Sequence, residues 1–213
     1  RAATACFKWI SGKVSEDKRF RVLCGMGNNG GDGLAVSRML CNAGYETDVQ
    51  IIRHTEHPGA DFSTNLKQLG DLPGLVITDV FEADPEIDID DEDIIIDAIL
   101  GSGLNKPVSG LIARVIEQIN ESNALVISID IPSGLFADIP IDHKKHVIVK
   151  ADYTLTFQMP KLAFLMAENE PYTGRWKVLD IGLHPDFIDK YESNNLLVEK
   201  DDCRSLYRSR TVF

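Results

Sequence analysis

The hydrophobic positions of the chain follow two patterns that alternate along the sequence. Short runs rich in Val, Ile and Leu predict β-strands, and the stretches between them repeat apolar residues at helical spacing. The runs predict strands at residues 19–24, 47–52, 75–78, 93–100, 125–131, 153–157 and 176–181. Helices are predicted at residues 34–43 and 61–69 and through Val108, Leu111, Val115 and Ile119. A further helix at the start of the chain is indicated by the spacing of Ala3, Cys6, Phe7 and Ile10.

This order of elements predicts the fold class. Strands that alternate with helices indicate βαβ units and a parallel sheet, and near-continuous apolar strands indicate burial on both faces. We therefore expect an α/β protein, a three-layer Rossmann-like domain with a mostly parallel sheet and helices on both faces. We assign residues 1–193 to this domain and interpret the polar residues 194–213 as a linker. The first residues already lie within a helical pattern, so we expect the N-terminal helix to be truncated.

Composition narrows the class of protein. The 213 residues carry 22 Lys and Arg against 33 Asp and Glu, a net charge of −11, which argues against a nucleic-acid surface. No apolar run approaches the length of about 20 residues that a membrane helix needs. The four cysteines form no C-x-x-C pair, so we expect no disulfides and a reducing, cytoplasmic location. Much of the acidic excess lies at residues 82–93, which we interpret as a solvated loop.

Three unusual loops follow predicted strands. Their sequences are CGMGNNGGDG at residues 24–33, DAILGSGLNKPVSG at 97–110 and IDIPSGL at 129–135. Open parallel sheets bind ligands in the crevice beyond the carboxyl ends of their strands. We therefore expect the three loops to converge on one crevice.

The first loop carries a phosphate-binding pattern, G-x-G-x-x-G, at Gly25, Gly27 and Gly30. A merely tight strand-to-helix turn would explain the same glycines. Arg53 stands after the second strand, where dehydrogenases that use NAD place an acidic ribose contact, so that pattern is not met. Asn28, Asn29 and Asp32 would suit a polar ligand or a cation, although helix capping would explain any one of them.

The other two loops supply charged and polar groups. Asp97 ends a hydrophobic strand, where it either caps the turn or meets a partner, and Gly101, Gly103 and Lys106 offer donors for a phosphate. Ser133 is not a nucleophile elbow, because G-x-S-x-G is absent. The oxygens of Asn29, Asp97 and Ser133 together suit a hard monovalent or divalent cation.

These loops, in this order and spacing, resemble the NAD(P)H-hydrate epimerase family, known as the YjeF N-terminal domain. The matching stretches are VLCGMGNNGGDGLAVSRML, IIIDAILGSGLNKPVSG, VISIDIPSGL and, more loosely, DYTLTFQMPKLAF. The resemblance implies an isomerase of metabolite repair, which interconverts the R and S forms of hydrated NADH and NADPH at nicotinamide C6. It also implies a homodimer, and the tail is similar to the entry into an ADP-dependent dehydratase domain of bifunctional members.

The resemblance further implies the roles of individual residues. It assigns potassium to Asn29, Asp97 and Ser133. It assigns the hydrated nucleotide to Asn28, Asn29, Gly30, Gly31, Asp32, Gly101, Ser102, Gly103, Leu104, Asn105, Lys106, Pro107 and Asp130.

C6 can invert by loss and re-addition of water or by ring opening at N1–C6, and either route needs a group that gives and takes a proton near the hydroxyl. Asp130 is the first candidate and Asp32 the second, and Lys161 is a further candidate for contact with the substrate. Two alternatives stay open. One is an NADP-dependent Rossmann oxidoreductase, and the other is a non-catalytic module that binds nucleotides or proteins.

Overall fold

The computed structural model describes residues 1–15, 17–70, 72–84, 86–142, 145–190, 195–198 and 200–206. Within these ranges, seven strands form one parallel sheet in the order β3-β2-β1-β4-β5-β6-β7. The strands are β1 (Phe20–Cys24), β2 (Thr47–Ile52), β3 (Leu75–Val80), β4 (Ile94–Ala98), β5 (Leu125–Ile129), β6 (Tyr153–Phe157) and β7 (Arg175–Leu179). The predicted α/β class and parallel sheet are confirmed.

Helices cover both faces of the sheet. They are α1 (Ala2–Ser11), α2 (Asn28–Asn42), α3 (Ala60–Leu69), α4 (Gly110–Glu121) and α5 (Glu170–Thr173), with short 3-10 helices at Leu162–Leu165 and Ala167–Asn169. Alternate residues of each strand face opposite sides. Val22 packs in a buried cluster with α1, α2 and α3, whereas Leu23 packs in a second cluster with α4. The sheet is therefore the middle of three layers.

Helix α2 begins earlier than the hydrophobic pattern predicts, at Asn28 rather than at residue 34. Its first two turns are the polar, glycine-rich part of the first loop, which has no apolar residue to mark a helical period. A Cβ atom on Gly30 would lie 1.7 Å from the carbonyl oxygen of Gly25, and one on Gly33 would lie 2.5 Å from Ala98 Cβ. These two glycines are thus required by the close packing of α2 on the strand ends.

Strands β4 and β5 are shorter than predicted. The apolar run of each continues into the following loop, where Ile99 and Ile131 are buried beneath the strand ends. Apolar residues at these positions indicate burial of the loop and not strand pairing. The hydrophobic pattern cannot separate the two cases.

Residues 82–93, the acidic stretch that we interpreted as a solvated loop, end in a buried residue, Asp93, whose ion pairs fix this end of the stretch. The Asp93 side chain is 2% exposed and forms ion pairs with Arg19 at 2.6 Å and with the buried Arg21 at 3.1 Å. Burial opposes the charged form of Asp93, but these guanidinium groups and a backbone N–H hold its pKa below the ordinary value. Asp93 directly precedes β4, so the network lies at the amino ends of the strands, away from the three loops.

The chain divides into two compact units, Arg1–Gly182 and Leu183–Phe213. The second unit contains the short helices α6 (Pro185–Asp189) and α7 (Lys200–Leu206). Of the expected linker at 194–213, residues 194, 199 and 207–213 lie outside the described part of the chain. None of the helices described is long and apolar enough to cross a membrane.

Candidate active site

A cleft of about 520 Å³ lies beyond the carboxyl ends of β1, β4 and β5. The sheet order reverses between β1 and β4, the position at which open α/β sheets bind ligands. The residues that line this main cleft come from all three loops and from the end of β6. They are Asn28, Asn29, Asp32, Leu100, Gly101, Ser102, Gly103, Leu104, Asp130 and Phe157. The three loops therefore converge, as their positions after parallel strands predict.

Asp130 directly follows β5 and has a backbone φ of 68°, a conformation that non-glycine residues rarely adopt. The N–H of Ile131 donates to the carbonyl of Ile129 at 2.9 Å and closes a tight γ-turn around Asp130. The carboxylate accepts hydrogen bonds from the N–H of Ser102 at 3.1 Å and from Lys161 Nζ at 2.7 Å. Both of its oxygens are thus held by donors from other loops.

Lys161 reaches Asp130 from the loop after β6. Its ammonium group also donates to Thr156 Oγ1 at 2.9 Å. Lys161 is not among the residues that line the main cleft, although its partner Asp130 is. The contact with the substrate that the sequence suggested for Lys161 stays a prediction, and in the structure the lysine contacts the carboxylate of Asp130.

Asp32 lies on the second turn of α2 and faces the main cleft. Burial raises the pKa of its carboxyl to about 6. The charges of Asp130 and Asp61 act in the same direction, and the amino group of Arg1 opposes them. At neutral pH a carboxyl of this kind exchanges a proton readily. Asp32 and Asp130 therefore place two carboxyl groups in different environments on one cleft.

Asp97 and Ser133 are buried together, and Ser133 shares the carbonyl of Leu100 as a partner with Asn29, which lines the cleft. Asp97 is fully buried, and its oxygens accept from Ser133 Oγ at 2.5 Å and from the N–H of Ser133 at 2.9 Å. A further donor to Asp97 is Ser128 Oγ at 2.8 Å. Burial raises the pKa of the Asp97 carboxyl, while the Ser133 and Ser128 hydrogen bonds counteract part of that rise.

Asn29 connects the first loop to the other two. Its Nδ2 donates to the carbonyls of Leu100 at 2.8 Å and Ile129 at 3.1 Å. The buried Oδ1 of Asn29 has no hydrogen-bond partner among the described residues. A buried amide oxygen without a partner is uncommon and indicates a ligand position. An oxygen-preferring cation fits this donor set, because the amide oxygen is unsatisfied and Asp97 is a buried acid.

The remaining candidates lie at the edge of the site or below it. Gly30 packs against Gly25, and a Cβ atom on Gly31 would lie 3.1 Å from the backbone nitrogen of Phe62 in α3. These glycines lie under the cleft and do not line it. Further along the second loop, three exposed residues do not line the cleft either, namely Asn105, Lys106 and Pro107. Their assignment to the hydrated nucleotide stays a prediction.

Sequence reasoning missed several residues of the site. Phe157 lines the cleft from the end of β6, Ser128 donates to Asp97, and Thr156 binds Lys161. All three lie in the last two positions of β5 and β6, at the edge where the loops converge. The loops were identified because ligands bind at the carboxyl ends of parallel strands. The same rule, applied to the last residue of each strand, would have identified Phe157.

The chain belongs to the family described as YjeF-related protein N-terminus, whose model matches residues 1–163. A bifunctional NAD(P)H-hydrate repair enzyme Nnr of Moorella thermoacetica is 33% identical over 208 residues, which are 96% of this chain and 39% of that protein. An NAD(P)H-hydrate epimerase of Limosilactobacillus fermentum is 37% identical over 163 residues, 75% of this chain and 73% of that protein. The chain thus spans well under half of the bifunctional relative.

A solved structure has the same fold. The crystal structure of the yeast protein ynu0, YNL200c, aligns with a TM-score of 0.69 and 22% sequence identity. The alignment covers 94% of this chain and 84% of the yeast chain. At this identity the likeness establishes the fold alone.

Proposed function

We propose that the chain is an NAD(P)H-hydrate epimerase, an isomerase that interconverts the R and S forms of hydrated NADH and NADPH at nicotinamide C6. The observation that carries this proposal is the pair of carboxyl groups, Asp32 and Asp130, on the main cleft. Relatives that bear the epimerase name are 34% to 37% identical to this chain, which supports the same assignment.

By the route of water loss and re-addition, the reaction needs proton transfer to and from the leaving and entering water, and no oxidant or reductant. C6 of the hydrated nicotinamide carries both a hydroxyl and the ring nitrogen, so it is a hemiaminal. When an acid protonates the hydroxyl, the C6–O bond breaks, water leaves, and the ring nitrogen shares the positive charge. Water then adds to the opposite face of C6 and gives its proton to a base. Atoms and electrons balance, and the nucleotide is consumed as a substrate and not as a cofactor.

The two carboxyl groups suit the two halves of this reaction. Asp130 accepts hydrogen bonds from Lys161 Nζ and from the N–H of Ser102, so its carboxylate is held in place to receive a proton from the attacking water. Asp32 has a pKa raised to about 6 by burial, so it retains a proton more readily and is the better acid. The proposal therefore keeps both sequence candidates and gives them different roles.

The proposal includes potassium, held by Asn29, Asp97 and Ser133. The unpartnered Oδ1 of Asn29 and the buried carboxylate of Asp97 support a cation there. A monovalent cation would offset the charge of Asp97 and hold the three loops together. Its role would be structural and electrostatic, without redox chemistry.

We further propose a homodimer, a cytoplasmic location and fusion to an ADP-dependent dehydratase domain in the whole protein. Relatives named as bifunctional repair enzymes support the fusion, because this chain covers 34% to 39% of their length. Other relatives bear the epimerase name alone. The dehydratase would consume one of the two forms that the epimerase equilibrates.

A coupled assay tests the proposal. A dehydratase specific for the S form is first incubated with mixed R and S NADPH hydrate. When the S form is exhausted, production of NADPH stops. Adding this chain should restart production above the uncatalysed rate, and Asp130→Asn should slow the restart by about 10²–10⁴-fold while leaving a measurable residual rate. An exposed control, Asp201→Asn, should behave like the wild type.

The same assay separates the alternatives. A binding module would bind the hydrate without restarting NADPH production. An oxidoreductase would instead bind intact NADP and change its absorbance when an oxidisable substrate is added. Failure of the wild-type chain both to bind the hydrate and to restart production would contradict the epimerase proposal.

A further inference from the structure

The ion pair between Lys161 and Asp130 is sheltered from solvent. The side chains are 18% and 13% exposed, and Nζ lies 2.7 Å from Oδ1. A lysine side chain loses much conformational freedom when it is held in this way, so an ordinary surface lysine rarely stays fixed. Thr156 Oγ1 accepts a second bond from the same ammonium group. Lys161 is thus fixed by two partners on neighbouring strand ends.

Two unusual turns bring the partners together. Asp130 after β5 has a φ of 68°, and Gln158 after β6 has a φ of 60°. In each case the next residue's N–H donates back to the residue before, Ile131 to Ile129 at 2.9 Å and Met159 to Phe157 at 2.6 Å. Asp130 and Gln158 are the only two non-glycine residues with a positive φ among the described residues. Such strained turns concentrate at functional sites.

Gln158 is held in its turn by β7 and the residues that follow it. Its own N–H donates to the carbonyl of Leu179 at 2.8 Å, and its Oε1 accepts from the N–H of Ile181 at 3.2 Å. The chain therefore reverses beyond β6, and Lys161 returns to the end of β5. The two strained turns therefore place Lys161 and Asp130 where they form their ion pair.

We propose that Lys161 is a positioning residue, whose ammonium group pairs with the Asp130 carboxylate and orients it toward the main cleft. This inference rests on the proposed epimerase function. Lys161 does not line the cleft, so it acts on the substrate only through Asp130. The positive charge of Lys161 also offsets part of the repulsion between Asp130 and Asp32, the other carboxyl group of the cleft.

The charged groups around Asp130 set the expected pH effect. Lys161 faces it from the β6 loop and Asp32 from α2, while the thiol of Cys6 in α1 is neutral because burial, Asp32 and Asp130 raise its pKa. Asp61 and the amino group of Arg1 act on the neighbouring Asp32. Removal of the lysine charge leaves two carboxyl groups on one cleft, and such a pair takes up a proton at higher pH.

The test compares Lys161→Gln with Lys161→Arg, since glutamine keeps hydrogen bonding without charge and arginine keeps the charge. Lys161→Gln should lower kcat by about 100-fold, with KM nearly unchanged. The acid limb of its pH–rate profile should move up by about one to two pH units. Lys161→Arg should keep the limb at its wild-type position and recover part of the rate. Lys177→Gln, at an exposed residue of β7, is the control.

A double-mutant cycle excludes a merely structural role. In an Asp130→Asn background, Lys161→Gln should lower kcat hardly any further. If the two residues acted independently, their fold-losses in kcat would multiply. The proposal is overturned if Lys161→Gln retains the wild-type kcat and pH profile, or if its effect persists unchanged in the Asp130→Asn background. Thermal unfolding of each variant identifies any that fails to fold, and Lys161→Met then replaces Lys161→Gln.

A measurement without turnover separates this proposal from the function on which it rests. In chains labelled with ¹³C-aspartate, the Asp130 carboxyl signal should change with pH at a higher pH in Lys161→Gln than in the wild type. Equal titration curves would overturn the proposed role of Lys161. If the wild-type chain does not epimerise the hydrate, the function fails, but the role of Lys161 toward Asp130 is still decided by this measurement.

Discussion

Ser133 satisfies both oxygens of the buried Asp97 carboxylate. Its hydroxyl donates to Oδ1 at 2.5 Å, and its backbone N–H donates to Oδ2 at 2.9 Å. The same hydroxyl oxygen accepts from the N–H of Leu100 at 2.9 Å. One short side chain therefore connects the loops that follow β4 and β5, and it also supports the position proposed for potassium.

Ser133→Ala should destabilise the protein. Asp97 would lose its shortest hydrogen bond while staying fully buried, and Leu100 N–H would lose its acceptor. A buried polar group without its partner costs about 1–3 kcal/mol, so the free energy of unfolding in urea should fall by that amount or more. Ser11→Ala, at a half-buried position whose hydroxyl makes a long, solvent-exposed 3.5 Å contact, should change the free energy of unfolding by less than about 0.5 kcal/mol. Equal effects of the two substitutions would contradict the bridging role.

Potassium should stabilise the wild-type chain. A ligand that binds only the folded state raises the melting temperature in proportion to its binding. We expect Tm to rise with potassium chloride more than with choline chloride at equal ionic strength, because Asn29 Oδ1 and Asp97 would gain a partner. Ser133→Ala should reduce this difference. An identical response of the wild type to the two salts would contradict a potassium site.

Asp32 should make stability depend on pH. Its pKa is about 6 in the folded chain against an ordinary value of 3.8, because burial disfavours the charged form. Between these values the unfolded chain has lost the proton that the folded chain retains, so rising pH favours unfolding. Asp32→Asn removes the titration. The stability of Asp32→Asn relative to the wild type should therefore increase from about pH 4 to about pH 6 and then level off.

Urea unfolding at several pH values measures that difference. Asp17→Asn is the control, since that carboxyl is exposed and its pKa is lowered by hydrogen bonds to Ser15 and to its own backbone. The difference in free energy of unfolding between Asp17→Asn and the wild type should fall with rising pH or stay constant. A flat difference for Asp32→Asn over this range would show that the buried environment does not act on the Asp32 carboxyl.

Arg21→Met should lower the free energy of unfolding far more than Arg53→Met does. Arg21 is 5% exposed and pairs with Asp93, Asp48 and Asp88, so its removal takes from the buried Asp93 carboxylate one of its two guanidinium partners and leaves Arg19. Loss of one member of a buried ion pair costs about 3–5 kcal/mol. Arg53 pairs at 2.8 Å with the 40% exposed Asp79, and exposed pairs contribute about 0–1 kcal/mol. Similar costs in urea unfolding would contradict the buried network.

Gly33→Ala should destabilise the fold, whereas Gly27→Ala should not. A Cβ atom at position 33 would lie 2.5 Å from Ala98 Cβ and 2.9 Å from Cys24 Sγ, so α2 would have to move off the sheet. Overpacking of this kind costs about 1–3 kcal/mol. A Cβ at position 27 meets nothing within 4 Å, and its φ of −97° suits alanine. Melting temperatures of the two variants distinguish close packing from a general need for glycine.

The sequence by itself determined the strands, the fold class and the three loops. Strands β2 and β6 have the bounds that the sequence predicts, because both are rich in β-branched and aromatic residues, which favour strands even where polar residues stand among them. The loops were identifiable because parallel strands must bring their carboxyl ends to one edge. These are local properties of the chain, or follow from the general geometry of parallel sheets.

The tertiary structure decided what those rules do not contain. The start of α2 at Asn28 depends on packing against Gly25 and Ala98, and the burial of Asp93 depends on Arg19 and Arg21, 74 and 72 residues away. The ion pair between Lys161 and Asp130 depends on two strained turns at neighbouring strand ends. Contacts between distant residues leave no periodic signal in the sequence, since only the assembled sheet and its loops bring their side chains together.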